Sequence, residues 1–161
     1  MVRLAIVREP GIGILLFAAF LLFSTTSCGL PKRARSMFGG QLPMRISVSP
    51  DANRNSPIAV ELVIVYNGKL LDELLKMPAG DWFRKREQFL RDYPDGVDSW
   101  RWEWIPGQEV AELELPVRVG AKAGVVFADY ATPGEHRLRI DPHQPVRLTL
   151  RTADFTLEGS L

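Results

Sequence analysis

Ile58 to Tyr66 reads IAVELVIVY. Ile58, Val60, Leu62, Ile64 and Tyr66 share one face of an extended chain, because successive side chains of a strand point to opposite sides. Val63 and Val65 lie on the other face with Ala59 and Glu61. A strand that is apolar on both faces is covered on both, so this segment is predicted to be central in its sheet. Asn67-Gly68 stops it.

Upstream, Pro50 to Pro57 (PDANRNSP) is turn chemistry, dense in Pro, Asp and Asn. Before it, Met44, Ile46 and Val48 alternate with Arg45, Ser47 and Ser49, the period of a half-buried strand beginning near Leu42. Downstream the period lengthens. Leu70, Leu71, Leu74 and Leu75 form one stripe of a short helix, which Pro78 and Gly80 break. Asp81 is expected to cap a second helix, with Trp82, Phe83, Phe89 and Leu90 on its dry side and Lys85, Glu87, Gln88 and Arg91 on its wet side. Pro94-Asp95-Gly96 ends it. Residues 69–98 thus read as a helical hairpin inserted between strands, obliged to bury its stripe on a sheet or on a partner.

Strands return after Asp98. Trp100, Trp102 and Trp104 alternate with Arg101, Glu103 and Ile105, so three indoles leave one face. Such a ladder either packs in a core or offers a platform for carbohydrate or peptide. Trp82 and Phe83 are candidates to join it. Pro106-Gly107 turns the chain into Glu109 to Val119, and further strands are expected at Val125–Phe127, His136–Ile140, Val146–Thr152 and Phe155–Leu157. Short strands separated by regular turn signals predict a mainly β fold, an antiparallel β-sandwich over residues 42–161 carrying the helical insertion.

Signs of catalysis are sparse. His136 stands beside a Pro-Gly turn and His143 lies in Asp141-Pro142-His143. Neither belongs to an HxH or HExxH spacing, so both are expected to be surface turn residues, with no metal site. No GxSxG elbow is present, although a Ser-His-Asp arrangement is defined by geometry and not by order. No cofactor is expected.

The N-terminus carries a different message. Arg3 and Arg8 precede an apolar run from Ile12 to Phe23, then small residues, then Cys28, the only cysteine. This is the layout of a secretory signal peptide over residues 1–27. A dozen helical residues reach about 18 Å, short of a bilayer core of about 30 Å. Thr25-Thr26-Ser27-Cys28 resembles the bacterial lipobox, with Thr25 where Leu is usual; the resemblance implies that Cys28 is lipidated and becomes the mature N-terminus. The bland alternative is ordinary cleavage leaving a free Cys28. Gly29 in place of Asp resembles lipoproteins sent to the outer membrane. Residues 28–41 read as the lipidated end and a flexible tether, in which Lys32, Arg33 and Arg35 either touch anionic head groups or are incidental to a solvated spacer.

Removal of 27 residues from 161 leaves 134, enough for one domain with its own core. The chain has 20 basic and 19 acidic residues; Arg3, Arg8 and Glu9 leave with the signal, making 18 of each. That balance gives no electrostatic reason to expect nucleic acid. With Cys28 committed to the lipobox, the exported domain must stand without a disulfide.

Taken in order, the lipobox, the Asn53-x-x-Ser56-Pro57-x-x-Val60 block, the helical insertion, Pro106-Gly107-Gln108-Glu109 and Gly124 to Tyr130 (GVVFADY) resemble the TssJ (VasD, SciN-like) lipoproteins of the type VI secretion system. The similarity covers nearly the whole mature chain, while the insertion differs from the family's usual aromatic-rich one. It implies a transthyretin-like β-sandwich anchored at the periplasmic face of the outer membrane, holding the periplasmic domain of a TssM-like inner-membrane protein. The family's contact, the loop between the first two strands, maps onto Asp51, Ala52, Asn53, Arg54, Asn55, Ser56 and Pro57. The alternative there is an ordinary solvated turn. No small-molecule substrate and no enzyme activity are implied. Three other readings remain: a periplasmic glycan- or peptide-binding lipoprotein using the Trp ladder and hairpin as a pocket, a hydrolase with His136 or His143 as base, and a sandwich lipoprotein outside type VI secretion.

Overall fold

A computed structural model describes residues 39–158. The signal-like segment, Cys28 and the tether up to residue 38 lie outside the described residues.

Eight strands and two helices follow in order: β1 (Gly40–Val48), β2 (Ile58–Val65), α1 (Gly68–Leu74), α2 (Ala79–Asp92), β3 (Val97–Trp104), β4 (Leu113–Val117), β5 (Ala123–Ala128), β6 (Arg137–Ile140), β7 (Val146–Leu150) and β8 (Phe155–Glu158). They form two four-stranded sheets, β4-β1-β7-β8 and β3-β2-β5-β6. The expected β-sandwich is present, with one refinement. β1 pairs with β7 in parallel, Met44 opposite Val146, so the first sheet is mixed. Alternation sets which face a residue takes and says nothing about strand direction.

β2 is central as predicted, antiparallel to β3 on one side and to β5 on the other. Ile58, Val60, Leu62 and Ile64 enter the core between the sheets, where they meet Leu42, Met44, Leu148 and Leu150. Val63 and Val65 enter a second core under the helices, with Leu70, Leu71, Leu74, Trp82, Phe89, Val125 and Phe127. The domain therefore has three layers: sheet, sheet and helical hairpin. Within the second core Trp82 stacks on Phe127 at 5.0 Å between ring centroids and meets Phe89 edge-on at 5.5 Å.

Local chemistry explains the helix ends. The Asn67 side-chain oxygen accepts hydrogen bonds from the backbone N–H of Lys69 and Leu70, so Asn67 both ends β2 and caps α1. Asp81 is not the cap of α2; Pro78 holds that place, and Asp81 sits in the first turn, paired with Arg84 and Lys85. Proline preorganises a helix start, and a carboxylate three residues in still complements the helix dipole. The strand β3 starts at Val97, and β1 starts at Gly40, so pairing reaches slightly into both segments read as insertion and tether.

The trace of the described chain begins at one end of the sandwich. Gly39 adopts φ +66°, and a Cβ there would lie 2.8 Å from the Val117 carbonyl oxygen, so glycine is required. At that end the Tyr66 hydroxyl donates to Asp98 (2.7 Å), Arg118 Nε donates to the same carboxylate oxygen (2.9 Å), and the Arg118 guanidinium lies 4.2 Å from the Tyr66 ring centroid. Among the described residues no helix is long and apolar enough to cross a membrane.

Candidate functional site

The β1–β2 loop lies at the other end. β1 is nine residues long, about 3.3 Å each, so about 30 Å separates its start from the loop. Within the loop Asn53, Arg54 and Asn55 all take left-handed backbone angles, with φ of 47°, 54° and 61°. Such a run is uncommon for residues other than glycine, and Asn tolerates it better than Arg.

What holds it there is Asn53. Its side chain is almost fully buried; Nδ2 donates to the Pro57 carbonyl (2.9 Å) and Oδ1 accepts from the Ala131 N–H (2.8 Å). Its backbone N–H donates to the Arg151 carbonyl, and that of Arg54 to the Thr152 carbonyl, at 3.0 and 3.1 Å. The Thr152 hydroxyl donates to the Asp51 carboxylate, and Ala52 is buried. The seven residues read as one contact thus divide by role. Ala52 and Asn53 face inward and fasten the loop, while Arg54, Asn55, Ser56 and Pro57 are exposed on a fixed frame.

Neighbouring loops brace this end. The Tyr130 hydroxyl donates to the Asp154 carbonyl (2.8 Å) and accepts from the Arg151 N–H (3.1 Å). Burial, with a smaller contribution from the Asp154 charge, pushes the Tyr130 phenol up to about 12. His136 corrects the sequence reading: it is not a surface turn residue but 8% exposed, at φ 44°, against the Tyr130 ring. Its Nδ1 lies 3.0 Å from Asp154 Oδ1 and its Nε2 lies 2.8 Å from the Thr132 carbonyl oxygen. The Thr132 hydroxyl donates instead to the Ala153 carbonyl at 2.6 Å. Histidine, carboxylate and hydroxyl meet here, yet both ring nitrogens face acceptors in the frame, so the arrangement works as a clamp between loops. His143 is elsewhere, in a turn where its N–H donates to Asp141. Among the described residues no three His, Cys, Asp or Glu side chains gather into a metal-holding group.

The Trp ladder belongs to the core. Trp104 is buried, and Trp100 and Trp102 are partly buried against the cluster between the sheets. Trp82 and Phe83 do not join it, because they pack on the opposite face of β3-β2-β5-β6. The sequence reading missed Tyr130, Asp154 and the inward role of Asn53. Only Asn53 gave a signal, as an Asn in a dense turn.

No protein-family model matches the chain, and no curated protein matches its sequence. Solved structures do match its fold. The T6SS lipoprotein TssJ1 from Pseudomonas aeruginosa aligns with a TM-score of 0.59 at 12% identity, covering 74% of this chain and 95% of that one. Serratia marcescens Lip, a membrane bound component of the type VI secretion system, gives 0.56 at 12% identity, over 76% and 99% of the two chains. A chain in the structure of the T6SS protein TssM C-terminal domain from EAEC gives 0.53 at 16% identity, over 75% and 98%. The two-sheet sandwich with its two helices thus has a TssJ-like fold.

Proposed function

We propose that this chain is an outer-membrane-anchored periplasmic lipoprotein, a structural and non-enzymatic adaptor of a type VI secretion membrane complex. Acylated Cys28 holds it to the membrane, and the loop Asp51–Pro57 grips the periplasmic domain of a TssM-like inner-membrane protein. The observation that carries this reading is the left-handed turn at Asn53–Asn55, locked by a buried amide and presenting Arg54, Asn55 and Ser56 to solvent. Backbone strain of this kind persists only where surrounding contacts enforce it, and it clusters at binding and switch sites. The likeness to a T6SS lipoprotein and to a chain from a TssM structure supports the choice of partner.

The topology suits an adaptor under load. The tether and the loop adjoin opposite ends of β1, and β1 is flanked by β4 on one side and β7 on the other. A pull between anchor and partner runs along β1. It loads both hydrogen-bond ladders in shear, so all their bonds resist together.

Two measurements test the proposal. Palmitate labelling with membrane fractionation is expected to lose both label and membrane association in Cys28→Ala. Pull-down by the TssM-like periplasmic domain is expected to recover the wild type and fail with Arg54, Asn55 and Ser56 replaced by alanine.

A further inference from the structure

Of the four sheet edges, β3 is the longest among the described residues. β6 and β8 are four residues long, and β4 is five with Pro116 inside it. β3 runs for eight residues, VDSWRWEW, with no proline, glycine or lysine. Sheet edges are ordinarily blunted by shortness, proline or charge; the β3 edge relies on Arg101 and Glu103, whose opposite signs repel a wrong partner yet complement one another.

The outward-facing backbone groups can be identified. Asp129 N–H donates to the Ala59 carbonyl and Lys122 N–H to that of Val65, so odd residues of β2 address β5. Tyr66 N–H donates to the Gly96 carbonyl, so even residues address β3. In register, Val60 faces Trp102 and Leu62 faces Trp100, so β3 meets β2 with its even residues. Ser99, Arg101 and Glu103 therefore turn N–H and C=O to the free edge.

We propose that the β3 edge pairs antiparallel with β3 of a second copy of this chain, about a two-fold axis at Trp102. In that register Arg101 faces the second copy's Glu103, and Glu103 its Arg101. Both belong to the outward-addressing set, so each such pair also exchanges backbone hydrogen bonds. Trp102 meets itself and Trp100 meets Trp104; the pairing ends there, because Gln108 already binds the Ile105 N–H through its side chain and the Ile105 carbonyl through its backbone. Moving the axis to Arg101 or Glu103 sets like charges against each other, and moving it to Trp100 leaves Glu103 opposite Val97. Charge complementarity thus selects one register.

Three observations agree. Arg101 and Glu103 are both exposed, and neither forms an ion pair among the described residues. Ile105, at the end of the strand, is 57% exposed and would gain cover. Trp102 is only partly buried although it stacks on Trp104, and a neighbouring strand would complete its burial.

The test is sedimentation equilibrium of the full chain in density-matched neutral detergent. The wild type is expected to dimerise. Arg101→Glu and Glu103→Arg are each expected to weaken the dimer about tenfold or more, since each sets two like-charge pairs face to face. The double exchange, Arg101→Glu with Glu103→Arg, is expected to return within about threefold of wild type. Both positions are exposed, and recovery in the double variant separates pairing from misfolding. A wild-type chain that stays monomeric overturns the proposal, as does a dimer indifferent to both single exchanges. Amide exchange at Arg101 and Glu103 that slows with protein concentration would support it; exchange at those amides independent of concentration in a dimer would overturn this register.

Discussion

Arg86 of α2 reaches the carboxylate of Glu61 on β2 with both arms, Nε 2.6 Å from Oε2 and Nη2 3.0 Å from Oε1. Glu61 is fully buried, and the Ser99 hydroxyl donates to the same group. The contact to Glu61 holds the Arg86 guanidinium above its usual pKa. A two-armed ion pair therefore links the helical hairpin to the sheet within the apolar layer between them.

Removal of one partner leaves a buried charge without a counterion. Arg86→Met is expected to destabilise the domain by about 3 kcal/mol or more. The double variant Glu61→Met, Arg86→Met is expected to recover most of that loss. Urea denaturation of the four members of the cycle measures both; additive losses would contradict the pairing.

Trp82 is fully buried between Phe127 and Phe89, and it joins α2 to β5. Trp82→Ala is expected to cost about 3–5 kcal/mol, read from the same denaturation curves. A loss well under 1 kcal/mol would mean that the hairpin does not depend on this contact.

Arg54 is exposed but held at φ 54°, a conformation costing an L side chain roughly 1–2 kcal/mol. Arg54→Gly removes that strain while giving up some chain entropy, so stability is expected to rise by about 0.5–1 kcal/mol. Binding to the TssM-like domain is expected to fall in the same variant. Calorimetric melting and a binding titration check the opposite signs.

Tyr130 predicts an alkaline limit. Its folded pKa of about 12 exceeds the ordinary 10, so the neutral phenol is favoured by folding. Its contribution is complete below pH 10 and is lost as pH rises from 10 towards 12. Tyr66, also raised by burial and by its bond to Asp98, adds in the same direction. Melting temperatures at pH 9 and 11.5 are expected to fall less in Tyr130→Phe than in the wild type.

The parts legible in the sequence share one cause: a strong burial pattern. β2 has two dry faces, the leucine stripe and Trp82 mark the helices, and the Trp ladder alternates with charges. What escaped depends on distant partners. Glu61 reads as a polar interruption of β2 until Arg86 arrives 25 residues later, and His136 reads as a turn residue until Asp154 and Tyr130 enclose it. The parallel direction of β7 beside β1 has no local signal at all. At the loop, proline and asparagine announce a turn, but the left-handed angles at Arg54 follow from the bonds that Asn53 makes to Pro57 and Ala131.

The central claim is that the exposed part of the β1–β2 loop grips the partner while the inward part only shapes it. Titration calorimetry of the TssM-like periplasmic domain against the wild type and against Arg54→Ala, Asn55→Ala, Ser56→Ala tests it most directly. The triple variant is expected to bind at least about tenfold more weakly while remaining folded, with a modest fall in melting temperature because alanine replaces Asn55 at φ 61°. Undiminished affinity in a folded triple variant would contradict the claim and move the grip to another surface.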